Sequence, residues 1–183
     1  MELFLAIDFD WATKCAVEKI AVAVRTLTGE GCHYENREKY HLTLCYLHHV
    51  DCSQTLIDRM KQFEFSSFSL QPQGLGTFEN SDGGVIWVGI VEDGGTLCAL
   101  KSALDTYLES LGYQTEPLEY TPHITLAYTG AEPLPNQGAL TKIPTDLPCV
   151  TVGEIALFRA PLSVKSGSYE KLASFSLKGE RSR

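Results

Sequence analysis

Two short stretches repeat one pattern of imidazole, apolar residue, hydroxyl and leucine: His41-Leu42-Thr43-Leu44 and His123-Ile124-Thr125-Leu126. Two such matches among five histidines arise by chance roughly once in a thousand sequences of this composition. On an extended strand, residues i and i+2 share a face about 6.6 Å apart, so each histidine points the same way as its threonine. Leu42, Leu44, Ile124 and Leu126 then take the opposite face, which suits a core. The next residues expected on the polar faces, Cys45 and Ala127, are small enough to leave room.

If two halves of the chain pack about a pseudo-two-fold axis, the polar faces meet in a cleft with two imidazoles and two hydroxyls. A phosphate fits such a volume. Hydroxyls donate to its non-bridging oxygens, a neutral imidazole takes a proton from a nucleophile, and an imidazolium gives one to the leaving oxygen. With ordinary pKa values near 6.5, one histidine of each kind coexists around neutral pH. No metal or cofactor is required. A single such motif is most often a histidine with a structural partner and no chemistry; the duplication argues against that reading.

The elements that must position these residues are legible in the spacing. Leu3 to Phe9 is a strand-length apolar run. Val17, Ile20, Ala21, Val24 and Leu27 mark one face of a helix, with Asp10 at its start and Gly29 to Gly31 at its end. Cys32 to Glu35 and Tyr40 to Leu47 read as extended. Ser53 is expected to cap a second helix. Phe65 to Phe78 reads as a strand broken by Pro72, Gly74 and Gly76, and 80–84 as a turn. Val85 to Val91 is the most β-like run, and Leu97, Leu100, Leu104, Leu108 and Leu111 face one side of a long helix. Pro122 to Tyr128 is a strand, Gly130 to Pro148 an extended loop, and Val150 to Phe158 and Tyr169 to Leu177 the last two strands.

The order strand, helix, motif strand occurs twice, offset by about 82 residues. Strands come in adjacent pairs as often as they alternate with helices. The expected fold is therefore α+β and mostly antiparallel: two pseudo-symmetric lobes with outer helices around a central cleft. It forms one domain over 1–183, one lobe holding roughly 1–80 plus the C-terminal strands and the other 81–148. A frayed tail is expected over 178–183.

Composition bounds the partners. Fifteen Lys and Arg against 23 Asp and Glu give a net charge of −8, which argues against coating long nucleic acid through many phosphates. No run approaches the ~20 apolar residues that cross a bilayer. An acid stands near the start where a signal peptide needs basic charge, so a reducing cytosol is expected, without membrane contact. The six scattered cysteines, with no C-x-x-C pair, read as free thiols.

The paired motifs, the opening Leu3-Phe4-Leu5-Ala6-Ile7, Glu35-Asn36, Val85-Ile86-Trp87-Val88-Gly89, Thr121-Pro122 and the ending from Ile155-Ala156-Leu157-Phe158-Arg159 to Gly167-Ser168-Tyr169 carry a resemblance. The sequence resembles the 2H phosphoesterase superfamily, and within it the bacterial 2′-5′ RNA ligase / RNA 2′,3′-cyclic phosphodiesterase group. The resemblance implies metal-independent opening of 2′,3′-cyclic phosphates to 2′-phosphomonoesters, with 2′-5′ ligation as the reverse chemistry. It implies that His41 is the general acid, that His123 is the general base, and that Thr43 and Thr125 hold the phosphate. The implied partners are RNA ends or short oligonucleotides with a 2′,3′-cyclic phosphate, and the chain is expected to act as a monomer. Alternatives on the same residues are a 2H phosphodiesterase for a small or cyclic oligonucleotide, and a nucleotide-binding module without turnover.

Members of the group often carry a basic residue two positions after the second motif, where this chain has Tyr128. Arg159 and Arg37 are the candidates to replace that charge. Tyr128, Arg159, Tyr169 and Tyr46 are the candidate substrate contacts, with Phe78 a further stacking surface. Trp87 is expected in the core. Cys45, His48, His49 and Cys52 have zinc-ligand chemistry but read as a solvated turn, and His33 as structural.

Overall fold

The computed structural model describes residues 2–80, 83–91, 94–115, 120–161 and 167–178. The expected turn positions 81 and 82 and the tail from 179 onward lie outside them. Strand β1 (Leu3–Asp8) leads into helix α1 (Trp11–Thr28), then β2 (His33–Tyr34), a 3-10 turn (Arg37–Lys39) and β3 (His41–Leu47). Helix α2 (Ser53–Met60) follows, then β4 (Phe68–Asn80), β5 (Gly83–Val91), α3 (Thr96–Ser110) and β6 (His123–Tyr128). The chain closes with α4 (Gln137–Leu140), β7 (Val150–Val152), β8 (Glu154–Arg159) and β9 (Glu170–Ser176).

The local signals act as elementary chemistry dictates. The Asp10 carboxylate accepts from the Thr13 amide at 2.7 Å and caps α1. At the other end Gly29 takes φ 77° and returns its N–H to the Arg25 carbonyl. Val17, Ile20, Ala21 and Val24 of α1, and Leu97, Leu100, Leu104 and Leu108 of α3, are buried under the sheet. Each fully buried leucine stabilises the fold by about 1.5–3 kcal/mol.

Among the described residues, all nine strands join one antiparallel sheet in the order β7-β4-β5-β6-β3-β1-β8-β9, with β2 added on β6. The middle of that order, β5-β6-β3-β1, is the internal repeat. In each half the motif strand is bonded to the strand that began its unit, β3 to β1 and β6 to β5. The halves meet where β3 and β6 pair at Leu42 and Ile124. Leu5, Leu42, Ile124 and Leu157 point to the helices, whereas Phe4, Ala6, Ala156 and Phe158 form a separate cluster on the other face.

Several expectations shift. The chain does not break at Pro72: β4 runs on, and a register shift between Pro72 and Leu75 absorbs the proline and Gly74 (φ 79°). Because β4 is hydrogen-bonded to β5, residues 68–80 stand in the half expected to begin at 81. Cys52, one residue before Ser53, occupies the capping position of α2. The expected 130–148 loop contains α4, with the Asn136 carboxamide oxygen accepting from Gly138 N–H at 2.8 Å. The run from Val150 splits at Gly153, β7 joining β4 while β8 joins β1 and β9. Among the described residues no helix is long and apolar enough to cross a membrane.

Candidate active site

The register of β3 and β6 decides how the motifs meet. In an antiparallel pair centred on Leu42 and Ile124, His41 stands across from Thr125 and Thr43 across from His123. Cross-strand neighbours have Cβ atoms about 5 Å apart, so the four side chains form one patch on the face away from the helices. All four are half-buried, while Leu42, Leu44, Ile124 and Leu126 are fully buried behind them.

A bulge follows each motif threonine. Opposite β1 the register skips Leu44, and opposite β5 it skips Leu126. One extra residue reverses which way every later side chain points. Cys45 and Ala127 therefore turn into the core rather than lining the cleft, correcting the expectation from strict alternation. Tyr46 and Tyr128 turn out in their place, Tyr46 against Phe4 at 5.8 Å between ring centroids. The room beside the motifs comes from Ala6, registered with Thr43, and Gly89, registered with His123.

Both imidazoles are fixed in the same way. His41 Nδ1 lies 2.6 Å from the Lys39 carbonyl, and His123 Nδ1 lies 2.8 Å from the Thr121 carbonyl. A carbonyl can only accept, so each Nδ1 carries a proton and each Nε2 is left for chemistry. The Thr43 hydroxyl donates to His41 Nε2 at 3.1 Å. Burial depresses the proton affinity of both rings, that of His41 to about 4, and lowers His123 as well. The Asp8 carboxylate, registered opposite His41, works against that depression. Asp8 is itself held by Lys14 at 2.7 Å and Lys171 at 3.2 Å.

Aromatic rings wall both histidines. Phe4 lies 5.0 Å and Tyr169 5.1 Å from the His41 ring, and Phe78 lies 5.1 Å and Trp87 6.1 Å from His123. Trp87 is thus half-buried on the face of the sheet that carries His123, not in the core as expected. Its indole lies over the backbone of β4 and β5, where a Cβ on Gly76 would stand 2.2 Å from the ring. Phe4, Trp87 and the two carbonyl anchors are not evident from motif spacing. The signal for Trp87 is the pair of glycines, Gly76 and Gly89, that make space on one side of a hairpin.

The candidate cations separate. Arg159 alternates with Phe158, so its side chain leaves from the other face of β8, and it is paired with Glu170 at 2.6 Å. Arg37 binds Glu18 and lies over the Trp11 ring on α1. Both are thus engaged away from the motif histidines. The cation beside Tyr169 is Lys39, whose ammonium is 5.5 Å from that ring and 3.4 Å from the buried Glu35 carboxylate. Tyr128 and Tyr169 both hold their protons more tightly than usual, chiefly because they are buried, with the Glu35 charge adding to the effect; Tyr128 is pushed up to about 12. Both hydroxyls therefore keep their protons at neutral pH.

Cys45 lies in the core, away from His48, which binds Glu2 at 2.5 Å, and from the exposed Cys52. Among the described residues no group of three or more His, Cys, Asp or Glu converges as a metal site.

Comparison with known proteins points the same way. A family model described as the 2′-5′ RNA ligase superfamily matches residues 16–161. An RNA 2′,3′-cyclic phosphodiesterase of Aeropyrum pernix is 32% identical over 122 residues, spanning 64% of this chain and 68% of that protein. One from Geobacillus stearothermophilus is 32% identical over 151 residues, 79% of this chain and 47% of that protein. Among solved structures, E. coli LigT complexed with 3′-AMP superposes with a TM-score of 0.76 at 20% identity, covering 96% of this chain and 97% of its own. TT0787 of Thermus thermophilus gives 0.74 at 25% identity, covering 99% of this chain and 100% of its own.

Proposed function

This chain belongs to the 2′-5′ RNA ligase superfamily, and we propose that it is an RNA 2′,3′-cyclic phosphodiesterase producing 2′-phosphomonoesters. The observation that carries the mechanism is the pair of imidazoles on neighbouring strands joined at Leu42 and Ile124, each with Nδ1 anchored on a carbonyl so that Nε2 is left for chemistry. His123 Nε2 accepts a proton from water as the water oxygen attacks phosphorus. The bond from phosphorus to O3′ breaks, and His41 Nε2–H delivers its proton to that oxygen. Thr43, Thr125 and Tyr128 donate hydrogen bonds to the non-bridging oxygens, Tyr128 standing where relatives often carry a cation.

In the free protein both rings are depressed toward the neutral form, which suits the base but not the acid. The arriving phosphodiester anion favours the charged imidazole, so substrate binding and protonation of His41 are coupled. Acid, base and phosphate donors all come from side chains, so the reaction needs no metal. Ligation to a 2′-5′ bond is the same displacement with a ribose 5′-hydroxyl attacking phosphorus in place of water.

The test is incubation with a 2′,3′-cyclic mononucleotide in the presence of EDTA. The expected product is the 2′-monophosphate at an undiminished rate. A 3′-monophosphate, or loss of activity with chelator, overturns the proposal.

A further inference from the structure

We propose that the cavity beside the first motif is a nucleoside subsite, which receives the base next to the terminal nucleotide and makes the protein prefer oligonucleotide ends over mononucleotides. The inference rests on the phosphodiesterase reading above and names its substrate class. The cavity has a volume of about 370 Å³ and is lined by His33, Asn36, Glu38, Lys39, Ser168 and Tyr169, among others. That volume is within the range of small-molecule sites and accommodates a base with part of its ribose.

It adjoins the reaction centre through two of its own walls. The Tyr169 ring stands edge-on to His41 at 5.1 Å, and the Lys39 backbone carbonyl holds the His41 ring. A group seated there is one aromatic ring away from the imidazole, too far to be the reacting phosphate and close enough to be joined to it.

Charge selects a base over a second phosphate. The Lys39 ammonium is shared between the Glu35 carboxylate at 3.4 Å and the Tyr169 face, and both members of that ion pair are buried, with side chains 8% and 4% exposed. The pair is close to neutral as a unit, and Glu38 at the exposed rim adds a negative charge. A phosphate gains little from such a wall. A base edge, which carries donors and acceptors together and no charge, is matched by the Asn36 amide, the Glu38 carboxylate, the Ser168 hydroxyl and the His33 ring. Tyr34 and Tyr169 supply the apolar surface that an unstacked base needs.

The experiment compares kcat/KM for three substrates: a 2′,3′-cyclic mononucleotide, the same nucleotide with a 5′-phosphate, and a dinucleotide with a 2′,3′-cyclic end. The dinucleotide is expected to be at least tenfold better than either, and the 5′-phosphate to add less than twofold. The rim variants Asn36→Ala and Glu38→Ala together should bring the dinucleotide advantage below threefold while leaving mononucleotide turnover unchanged. Equal rates for dinucleotide and mononucleotide, a 5′-phosphate that matches the dinucleotide, or a rim variant that keeps full preference overturns the subsite. Each of those outcomes leaves mononucleotide turnover intact, and so leaves the phosphodiesterase reading standing. Loss of turnover on all three substrates overturns both.

Discussion

His41 and His123 are held by one device: each gives its Nδ1–H to the carbonyl of the residue two positions before it, Lys39 and Thr121 respectively. The carbonyls fix tautomer and orientation without adding charge, so burial alone dominates the proton affinity of both rings.

A pH profile follows from that balance. Against free enzyme, the proposed mechanism needs His41 charged and His123 neutral, and both rings are depressed below the ordinary 6.5, His41 to about 4. The optimum of kcat/KM should lie below pH 6.5 and decline above it as His41 loses its proton. The corresponding limb of kcat should lie at higher pH, because bound phosphate favours the imidazolium. Steady-state rates from pH 4 to 9 check both. An optimum of kcat/KM at pH 8 contradicts the assignment.

The same depression links to stability. A histidine whose folded pKa is lowered contributes nothing adverse above 6.5. It lowers stability as pH falls from 6.5 toward the folded value, because the unfolded chain takes the proton first. For His41, with a folded value near 4, the loss between pH 7 and pH 5 is about 2 kcal/mol. Urea unfolding at the two pH values should show a smaller drop for His41→Asn than for the parent. An equal drop removes His41 from the acid response.

The proposed role of Tyr128, a neutral donor to the phosphate, is tested by removing its hydroxyl. A hydrogen bond to a charged group is worth about 1.5–3 kcal/mol, so Tyr128→Phe should lower kcat/KM by about ten- to hundredfold. The fold should survive, since the aromatic ring is kept. Full activity in Tyr128→Phe rules out its hydroxyl as a phosphate ligand.

Much of this site was legible from residue order. The duplicated motif, its helices and its antiparallel class follow from periodicity, because apolar faces must be buried wherever they occur. The direction of Cys45, Ala127, Tyr46 and Tyr128 was not, because a bulge leaves no mark in the sequence. Skipping Leu44 and Leu126 in the ladder depends on the neighbouring strand and reverses every side chain beyond it. The continuity of β4 through Pro72 was hidden for a related reason. A proline excludes itself from a regular ladder, and only the partner β5 shows that the irregularity is local. Arg159 looked available because its partner Glu170 lies on a strand whose register is set by tertiary pairing.

Gly76 tests how the wall of His123 is built. A methyl group there would stand 2.2 Å from the Trp87 ring, which packs beside His123. Gly76→Ala should cost about 1–3 kcal/mol by overpacking, lowering Tm by several degrees, and should reduce turnover as the indole shifts. Calorimetry and a rate assay check this; an unchanged Tm shows that the indole is not seated on that glycine.

The most direct measurement is single-turnover hydrolysis of a 2′,3′-cyclic nucleotide by the parent, His41→Ala and His123→Ala, followed by phosphorus NMR. The parent should yield the 2′-monophosphate, and each variant should be slower by ~10²–10⁴-fold while binding the nucleotide. Either variant turning over as fast as the parent contradicts the two-imidazole mechanism.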